Sequence, residues 1–314
     1  MRRHLLGLPG EETNYVRRGF RGAASDMQSR LDQVGASFLH GYHAALEQDT
    51  LENLASELNS LDLELRGFAF EGAAMGVALL DRSTPWRSNR LSKFLCGPGD
   101  AHAYMVHVGV GWLWARTPAG FRRKQKYLDP LLGWLAFDGW GFHEGFFHWT
   151  KYLSGQALPK QLAGYERRVF DQGLGRSWWF VNGGNPELIA RTIKTFAAER
   201  QSDFWSGIGL AATYAGGVGE TELETLRENA AAYWPHLAQG AAFAAKARQR
   251  AGNLTDYTDF AARKLCGLSA LEAAHLSDTT LENLPSNAAQ PAYEIWRQRI
   301  QRHFQESQQL QEAK

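Results

Sequence analysis

Cysteine is scarce in this chain, since Cys96 and Cys266 are the only two among 314 residues. Two cysteines cannot build a disulfide framework, and the N-terminal residues hold too short an apolar run for a secretory signal. No uncharged run reaches the ~18 residues that a membrane-spanning helix needs. A formal net charge of +1 gives no reason to expect nucleic acid or a strongly acidic partner. We therefore expect a cytoplasmic protein that does not bind nucleic acid.

Motifs for nucleotide binding and nucleophilic catalysis are also missing. No stretch has the period-two alternation of a half-buried strand, and no nucleophile elbow, P-loop or dinucleotide fingerprint occurs. The Gly-x-Gly triplets lie in helical contexts with no strand before them, so they do not predict a phosphate site. A content of 44% hydrophobic and 21% charged residues indicates a folded protein. Together with the missing strand and cofactor motifs, it leads us to expect an all-α protein without cofactors.

Seven glycines recur at intervals of 30 to 37 residues. Glycine costs a helix interior about 1 kcal/mol relative to alanine, so this recurrence needs a compensating reason. Close packing of helix backbones supplies one, because a small residue lets two helices approach. An interval near 34 residues is typical of helix-pair repeats. The seven glycines are Gly41, Gly72, Gly109, Gly139, Gly173, Gly207 and Gly240.

This period predicts an all-α right-handed superhelix, or solenoid, of about seven helix pairs, because each pair buries its apolar face only by stacking. Trp205, Ile208 and Gly209 resemble the opening of a tetratricopeptide repeat, although Ala212 stands where that repeat has tyrosine. We expect an N-terminal arm or cap over residues 1–30, a helical-repeat domain over residues 31–304 and a disordered tail over residues 305–314.

The residue before each glycine is polar in six of the seven repeats, and we call these positions the polar row. They are His40, Glu71, Val108 (the exception), Asp138, Gln172, Ser206 and Gln239. One helical turn away on the same face lie aromatic and apolar residues and one cation, Arg176. If these faces line the concave side of a superhelix, they form a groove for a long, unsaturated, mostly apolar ligand. The alternative is that half of this pattern is ordinary core between helices.

The chain holds 11 Trp, 17 Phe and 10 Tyr, and these aromatic residues concentrate between Trp112 and Trp205. The residues predicted to bind substrate are Trp112, Trp140, Phe142, His148, Gln172, Arg176 and Gln239. Those predicted to be catalytic are Glu71, Asp138, His143 and Glu144, with Asp138 as the leading proton donor or acceptor. A carboxylate in a partly dry groove has a raised pKa, which makes a proton available near neutral pH.

The histidines in Phe137–Trp149 resemble the H-E-x-x-H zinc pattern but stand one residue too far apart. In a continuous helix, His143 and His148 diverge by ~140°, so we expect no metal site. Glu144 and His148 are one turn apart, and they either carry a proton or form a structural pair.

Residues 121–127 form the densest basic run in the chain. Such a run is usually a solvated helix face. The alternative is that Arg122, Arg123, Lys124 and Lys126 dock an acidic acyl carrier protein, a phosphate or a membrane surface.

Four blocks resemble the UnbL-type proteins encoded in bacterial enediyne biosynthetic cassettes: Glu71–Gly76, Phe137–Trp149, Phe170–Ser177 and Trp205–Ala211. The similarity runs from about Phe38 to Phe304. It implies a role in turning a linear polyene from an iterative polyketide synthase into the enediyne core. It also implies a membrane-bound cassette partner and a second, soluble one, so the protein could associate with a membrane through a partner.

The resemblance brings no catalytic residues with it, so two hypotheses stay open. The first is a cofactor-independent isomerase or cyclase that acts on the polyene with acid–base residues. The second is a non-catalytic helical-repeat scaffold or carrier that presents the polyene to the cassette partners, since repeat solenoids more often bind than catalyse.

Overall fold

The computed structural model describes residues 2–84, 89–155, 158–285 and 288–312, and these residues are helical with no strand. None of the described helices is both long and apolar enough to cross a membrane. The seven helices that carry the repeated glycines are α2 (Ser25–Glu47), α4 (Leu63–Ser83), α6 (Ala103–Arg116), α8 (Leu135–Phe147), α10 (Tyr165–Val181), α12 (Ala198–Tyr214) and α14 (Trp234–Arg250). We call these the inner helices.

Shorter helices lie between, before and after the inner helices. They are α1 (Arg2–Leu6), α3 (Leu51–Asn59), α5 (Arg90–Leu95), α7 (Phe121–Gln125), α9 (Trp149–Gly155), α11 (Pro186–Lys194), α13 (Glu220–Ala230), α15 (Asp256–Cys266), α16 (Ala270–Thr279) and α17 (Ala292–Glu312). Capping residues in the local sequence mark where some of these helices begin. Asn185 precedes Pro186 at the start of α11, and its side chain accepts a hydrogen bond from the Leu188 N–H. At the start of α16, Ser269 forms a capping box with Glu272.

The repeated glycines are contact points between consecutive inner helices, which pack in chain order from α2 to α14. A Cβ atom at Gly109 would lie 2.0 Å from the Glu71 carbonyl oxygen, and one at Gly173 would lie 1.8 Å from that of Asp138. Real side chains cannot approach so closely, so glycine is required there. The expectation of close backbone packing is therefore confirmed, and this packing fixes the polar row in space.

The two ends of the series of inner helices touch each other. Arg248 on α14 donates a hydrogen bond from Nη2 to the Glu64 carbonyl oxygen on α4 at 3.0 Å, and Arg30 on α2 donates from Nε to the Ala215 carbonyl oxygen at 2.9 Å. The rings of Phe68 and Tyr214 also meet edge to face, 5.2 Å apart. The inner helices thus enclose a filled interior, where the sequence analysis expected an open groove.

Within the predicted N-terminal arm or cap, residues 7–24 run from α1 over one end of the inner helices, and from here on we use the name arm for residues 7–24 only. Arg18 donates from Nη2 to the Phe147 carbonyl oxygen at 2.7 Å, and the Arg21 N–H donates to the Val181 carbonyl oxygen at 2.9 Å. The helix α2 begins at Ser25 rather than near Leu31. The helix starts earlier because Met27 is buried against the core, and no glycine or proline between Met27 and Leu31 interrupts the helix.

The last helix, α17, lies across the inner helices with Tyr293, Trp296 and Arg297 fully buried. Its Trp296 ring packs 4.4 Å from the ring of Phe243 on α14. The helix continues to Glu312, although the sequence analysis ended it at Phe304 and expected a disordered tail. Residues 305–312 are good helix formers without glycine or proline, so nothing in them ends the helix.

Candidate functional site

Five buried side chains from four consecutive inner helices meet under the arm, and we call them the Glu71 site. Glu71 on α4 accepts a hydrogen bond at Oε1 from the indole N–H of Trp112 on α6, at 2.9 Å. Arg176 on α10 donates from Nη1 to Oδ1 of Asp138 on α8. The other oxygen of Asp138 accepts from Nε2 of Gln172 at 2.7 Å. The repeat places these groups together, because each occupies a polar-row position or the position one turn beyond it.

The Glu71 site carries two carboxylates but a single cation. Glu71, Asp138 and Arg176 are each at most 4% exposed. Burial raises the pKa of Glu71 to about 7, with a small further rise from the Asp138 charge; Arg176 and the Trp112 hydrogen bond oppose that rise. Asp138 instead holds Arg176 directly. Glu71 is therefore the group that can gain or lose a proton near neutral pH.

Two small cavities adjoin this site. One, of about 30 Å³, has Thr13 of the arm in its lining, and the other has a volume of about 20 Å³. Arg176 lines both, and its Nε has no hydrogen-bond partner among the described residues. The first cavity has aromatic walls formed by Phe38, Phe68, Trp112, Phe142, Phe146 and Phe180. A void of this size holds roughly one or two water molecules, so a polyene does not fit in the closed form.

The arm closes the larger of the two cavities. Thr13 lines it, and the ring of Phe20 stands edge-on to that of Phe146 at 5.0 Å. Arg18 lies over the Phe147 ring, 4.8 Å from its centre. No sequence pattern in the arm predicts these ring contacts, since Phe146 and Phe147 lie more than a hundred positions away.

Several predicted site residues lie outside the Glu71 site. Trp140 falls between two contact glycines and packs on Phe121 at 5.2 Å, away from the cavity. Gln239 lies further along the polar row, where its Oε1 accepts from Ser206 and from Arg297 of α17 at 2.8 and 3.3 Å. The predicted residues that do meet at the site are Glu71, Trp112, Asp138, Phe142, Gln172 and Arg176.

Beside Gln172 and Gln239 of the polar row lies an ionic cluster that we call the α17 cluster. It is buried except for the Arg168 side chain, which is 38% exposed. Arg168 and Arg297 bind Asp203 and Glu294. The hydroxyl of Tyr293 lies between this cluster and the Glu71 site, 3.2 Å from Nε2 of Gln172. The role of α17 could not be predicted from the sequence. The contact between Tyr293 and Gln172 joins positions about 120 residues apart, and no local sequence pattern indicates it.

The remaining predicted residues form a separate group at the C-terminal end of α8. His143 and His148 each place Nδ1 near a Glu144 carboxylate oxygen, at 3.4 and 3.5 Å. Tyr152 donates from its hydroxyl to Oε2 of Glu144 at 2.8 Å. The two histidines do not diverge as expected, because α8 ends at Phe147 and the backbone of His148 leaves helical geometry (φ −128°, ψ 31°).

The basic run is partly engaged in contacts within the chain. Arg122 pairs with the carboxylate of Glu166 and donates from Nη2 to the Gln161 carbonyl oxygen at 2.7 Å. The ammonium of Lys126 lies over the Tyr127 ring, 5.7 Å from its centre. The side chains of Arg123 and Lys124 lie outside the described residues.

Comparison with known proteins assigns the chain to a family. No curated protein and no solved structure matches it. Residues 1–304 match the family described as "Protein of unknown function (DUF1702)". This match covers the arm, all seven inner helices and most of α17, so the chain belongs to the DUF1702 family.

Proposed function

We propose that this protein acts on a linear polyene during formation of an enediyne core, as a cofactor-independent isomerase or cyclase. The observation that carries the proposal is Glu71, a buried carboxyl with a pKa of about 7 beside an aromatic-walled cavity. The block resemblance to enediyne cassette proteins supplies the substrate class. We further infer a right-handed superhelix of tetratricopeptide-like helix pairs, supported by the regular glycine contacts.

The chemistry suited to this site is proton transfer. An ionised Glu71 takes a proton from one carbon of the polyene and returns it to another, which moves double bonds without an oxidant or reductant. The guanidinium of Arg176 stabilises the negative charge that develops on the substrate. Asp138 and Gln172 hold Arg176 in place, and Trp112 orients the Glu71 carboxylate through its indole N–H.

Substrate access requires the arm to move. The closed cavity of about 30 Å³ opens toward solvent only when Thr13 and Phe20 withdraw. The aromatic walls then offer stacking surfaces to a conjugated chain. Withdrawal of the arm therefore belongs to the proposed catalytic cycle.

A second candidate function is presentation of the polyene without turnover. It is favoured by an open groove of about 790 Å³ on the outside of α4, α5 and α6, whose walls are mostly apolar. Leu91, Leu113 and Trp114 form part of its surface, and Tyr127 at the end of the basic run lies at its edge. An acyl carrier protein docked through Lys126 and its neighbours would deliver a chain here. The membrane-bound and soluble cassette partners and a cytoplasmic location belong to both candidates.

The deciding experiment incubates the purified protein with the linear polyene, alone and with the cassette partners, and follows absorbance and mass. Turnover by the protein alone, abolished by Glu71→Gln and retained by Ser206→Ala, supports the enzyme. Binding without any change in absorbance or mass supports the carrier. Absence of both binding and turnover contradicts the proposed function.

A further inference from the structure

A second group of chemically active side chains lies outside the Glu71 site, at the end of α8. It consists of His143, Glu144 and His148, and we call it the histidine cluster. One ligand atom from each residue can be chosen so that all three lie within 4.8 Å of one another. The proposed polyene chemistry uses none of them.

Two of the separations already match those around a bound metal. Donors about 2.1 Å from a tetrahedral zinc ion lie roughly 3.4 Å apart. Nδ1 of His143 is 3.4 Å from Oε1 of Glu144, and Nδ1 of His148 is 3.5 Å from Oε2, so each imidazole lies at such a distance from a different oxygen of the carboxylate. The side chain of His148 is 52% exposed, so it can turn to close the remaining gap, and it gives an ion a path from solvent.

The buried histidine points to a ligand rather than to a finished ion pair. His143 is 4% exposed, and its Nδ1 makes no well-aligned hydrogen bond among the described residues, although a Glu144 oxygen lies 3.4 Å away. So weak a contact at a buried ring nitrogen is costly, and the nitrogen lies near the donors of Glu144 and His148. Tyr152 orients the Glu144 carboxylate from outside, as the groups that support metal ligands commonly do.

One contact works against metal binding. Arg116 donates from Nε to Nε2 of His143 at 3.1 Å, so the neutral ring carries its proton on Nδ1. A metal on Nδ1 displaces that proton, after which Nε2 becomes the N–H and must release Arg116. The guanidinium then keeps its contact with the Phe147 ring, whose centre is 5.2 Å away.

We propose that His143, Glu144 and His148 bind a divalent transition metal ion of the zinc class. Two imidazoles and one carboxylate suit zinc, cobalt or iron(II) rather than magnesium or calcium. Three protein ligands leave at least one position for water, as in catalytic zinc sites. This site is independent of the proposed polyene chemistry.

The test titrates the full-length, chelator-treated protein with Zn²⁺ by calorimetry and with Co²⁺ by visible absorption. We expect one ion to bind per chain, and we expect the visible absorption spectrum of the bound Co²⁺ to indicate a low coordination number. His148→Ala and Glu144→Gln should each weaken binding at least tenfold, within the range known for ligand-shell changes. His303→Ala, which removes an exposed histidine, is the matched control and should bind as the wild type does.

Arg116→Met sharpens the test, because it removes the donor that competes for Nε2 of His143. This variant should bind Zn²⁺ about five to ten times more tightly, the equivalent of one hydrogen bond. The proposal is overturned if the wild type and Arg116→Met both fail to bind one ion. It is also overturned if binding survives His148→Ala and Glu144→Gln unchanged, since the ion would then lie elsewhere.

Discussion

The Glu71 site and the α17 cluster are two groups of charged side chains, each lying between inner helices and a covering segment, yet their charges are arranged differently. The α17 cluster has two cations and two carboxylates, and each of these four groups is partnered. The Glu71 site has two carboxylates, one cation and two small cavities that Arg176 lines. Charge balance therefore separates a structural cluster from a site that can titrate, where the sequence pattern alone does not.

The covering segments differ in the same way. The helix α17 inserts its own buried arginine, Arg297, and supplies the balancing charge. The arm places Thr13 and Phe20 over the Glu71 site and contributes no charge to it. Removing α17 would take Arg297 away from Asp203, whereas removing the arm would take no charge from the Glu71 site. Substitutions at each end should therefore have different consequences.

The largest effect is expected at the α17 cluster. Arg297→Met preserves side-chain volume but leaves Asp203 and Glu294 with Arg168 alone, whose side chain is 38% exposed. We expect it to lower the free energy of unfolding by about 3–5 kcal/mol, as for other broken buried pairs. Urea denaturation measures this loss. Arg302→Met removes an exposed cation from the same helix and should change little; equal effects would contradict the assignment of the cluster as structural.

The next effect concerns the pH dependence of stability at Glu71. Its pKa is about 7 in the folded protein against 4.5 in the unfolded chain. The stability contributed by protonated Glu71 is fully present below pH 4.5 and is lost as the pH rises through 7. Glu71→Gln escapes this loss, so it should gain roughly 3 kcal/mol over the wild type between pH 4.5 and pH 8. Parallel stability curves across that range would show that Glu71 does not titrate there.

Asp138→Asn should have a smaller effect. Asparagine has a single acceptor oxygen, so it keeps the hydrogen bond from Arg176 and loses the one that Gln172 donates to the second oxygen, while one buried charge disappears. We expect a loss of about 2 kcal/mol in the free energy of unfolding. The pKa of Glu71 should fall in this variant, because Glu71 then no longer shares the positive charge of Arg176 with a second carboxylate. An unchanged Glu71 titration in Asp138→Asn would break the link between the two carboxylates.

The smallest effect is expected from Trp112→Phe, which keeps an aromatic wall and removes only the indole N–H. Loss of one buried hydrogen bond should cost about 1 kcal/mol in unfolding free energy. The pKa of Glu71 should rise further, since the N–H stabilises its ionised form. A fall in that pKa would show that Trp112 does not act through the carboxylate.

Much of this arrangement can be predicted from the sequence, because the glycine period fixes which helices are neighbours. That period alone predicts that Glu71, Asp138 and Arg176 lie near one another. It cannot show which carboxylate titrates: the sequence pattern favours Asp138, yet Asp138 is the partner of Arg176 and Glu71 is the group with the raised pKa. What decides this is which carboxylate contacts the Arg176 guanidinium directly, and the glycine period does not determine that contact.

Long-range contacts explain the other differences. The path of α17 over Gln172 and Gln239 depends on packing between segments more than fifty residues apart. The approach of His148 to His143 depends on α8 ending at Phe147, where no glycine or proline marks a boundary. Tertiary packing thus determines both features, since helix periodicity describes only what happens within one continuous helix.

The most direct test of the account is the titration of the Glu71 carboxyl itself. Carbon NMR of protein labelled at the glutamate side-chain carboxyl, recorded from pH 4 to pH 9, identifies this group as the signal missing in Glu71→Gln. We predict a midpoint near pH 7. A midpoint near 4.5, the value of an ordinary glutamate, would contradict the claim that the Glu71 site is the titrating end of the polar row.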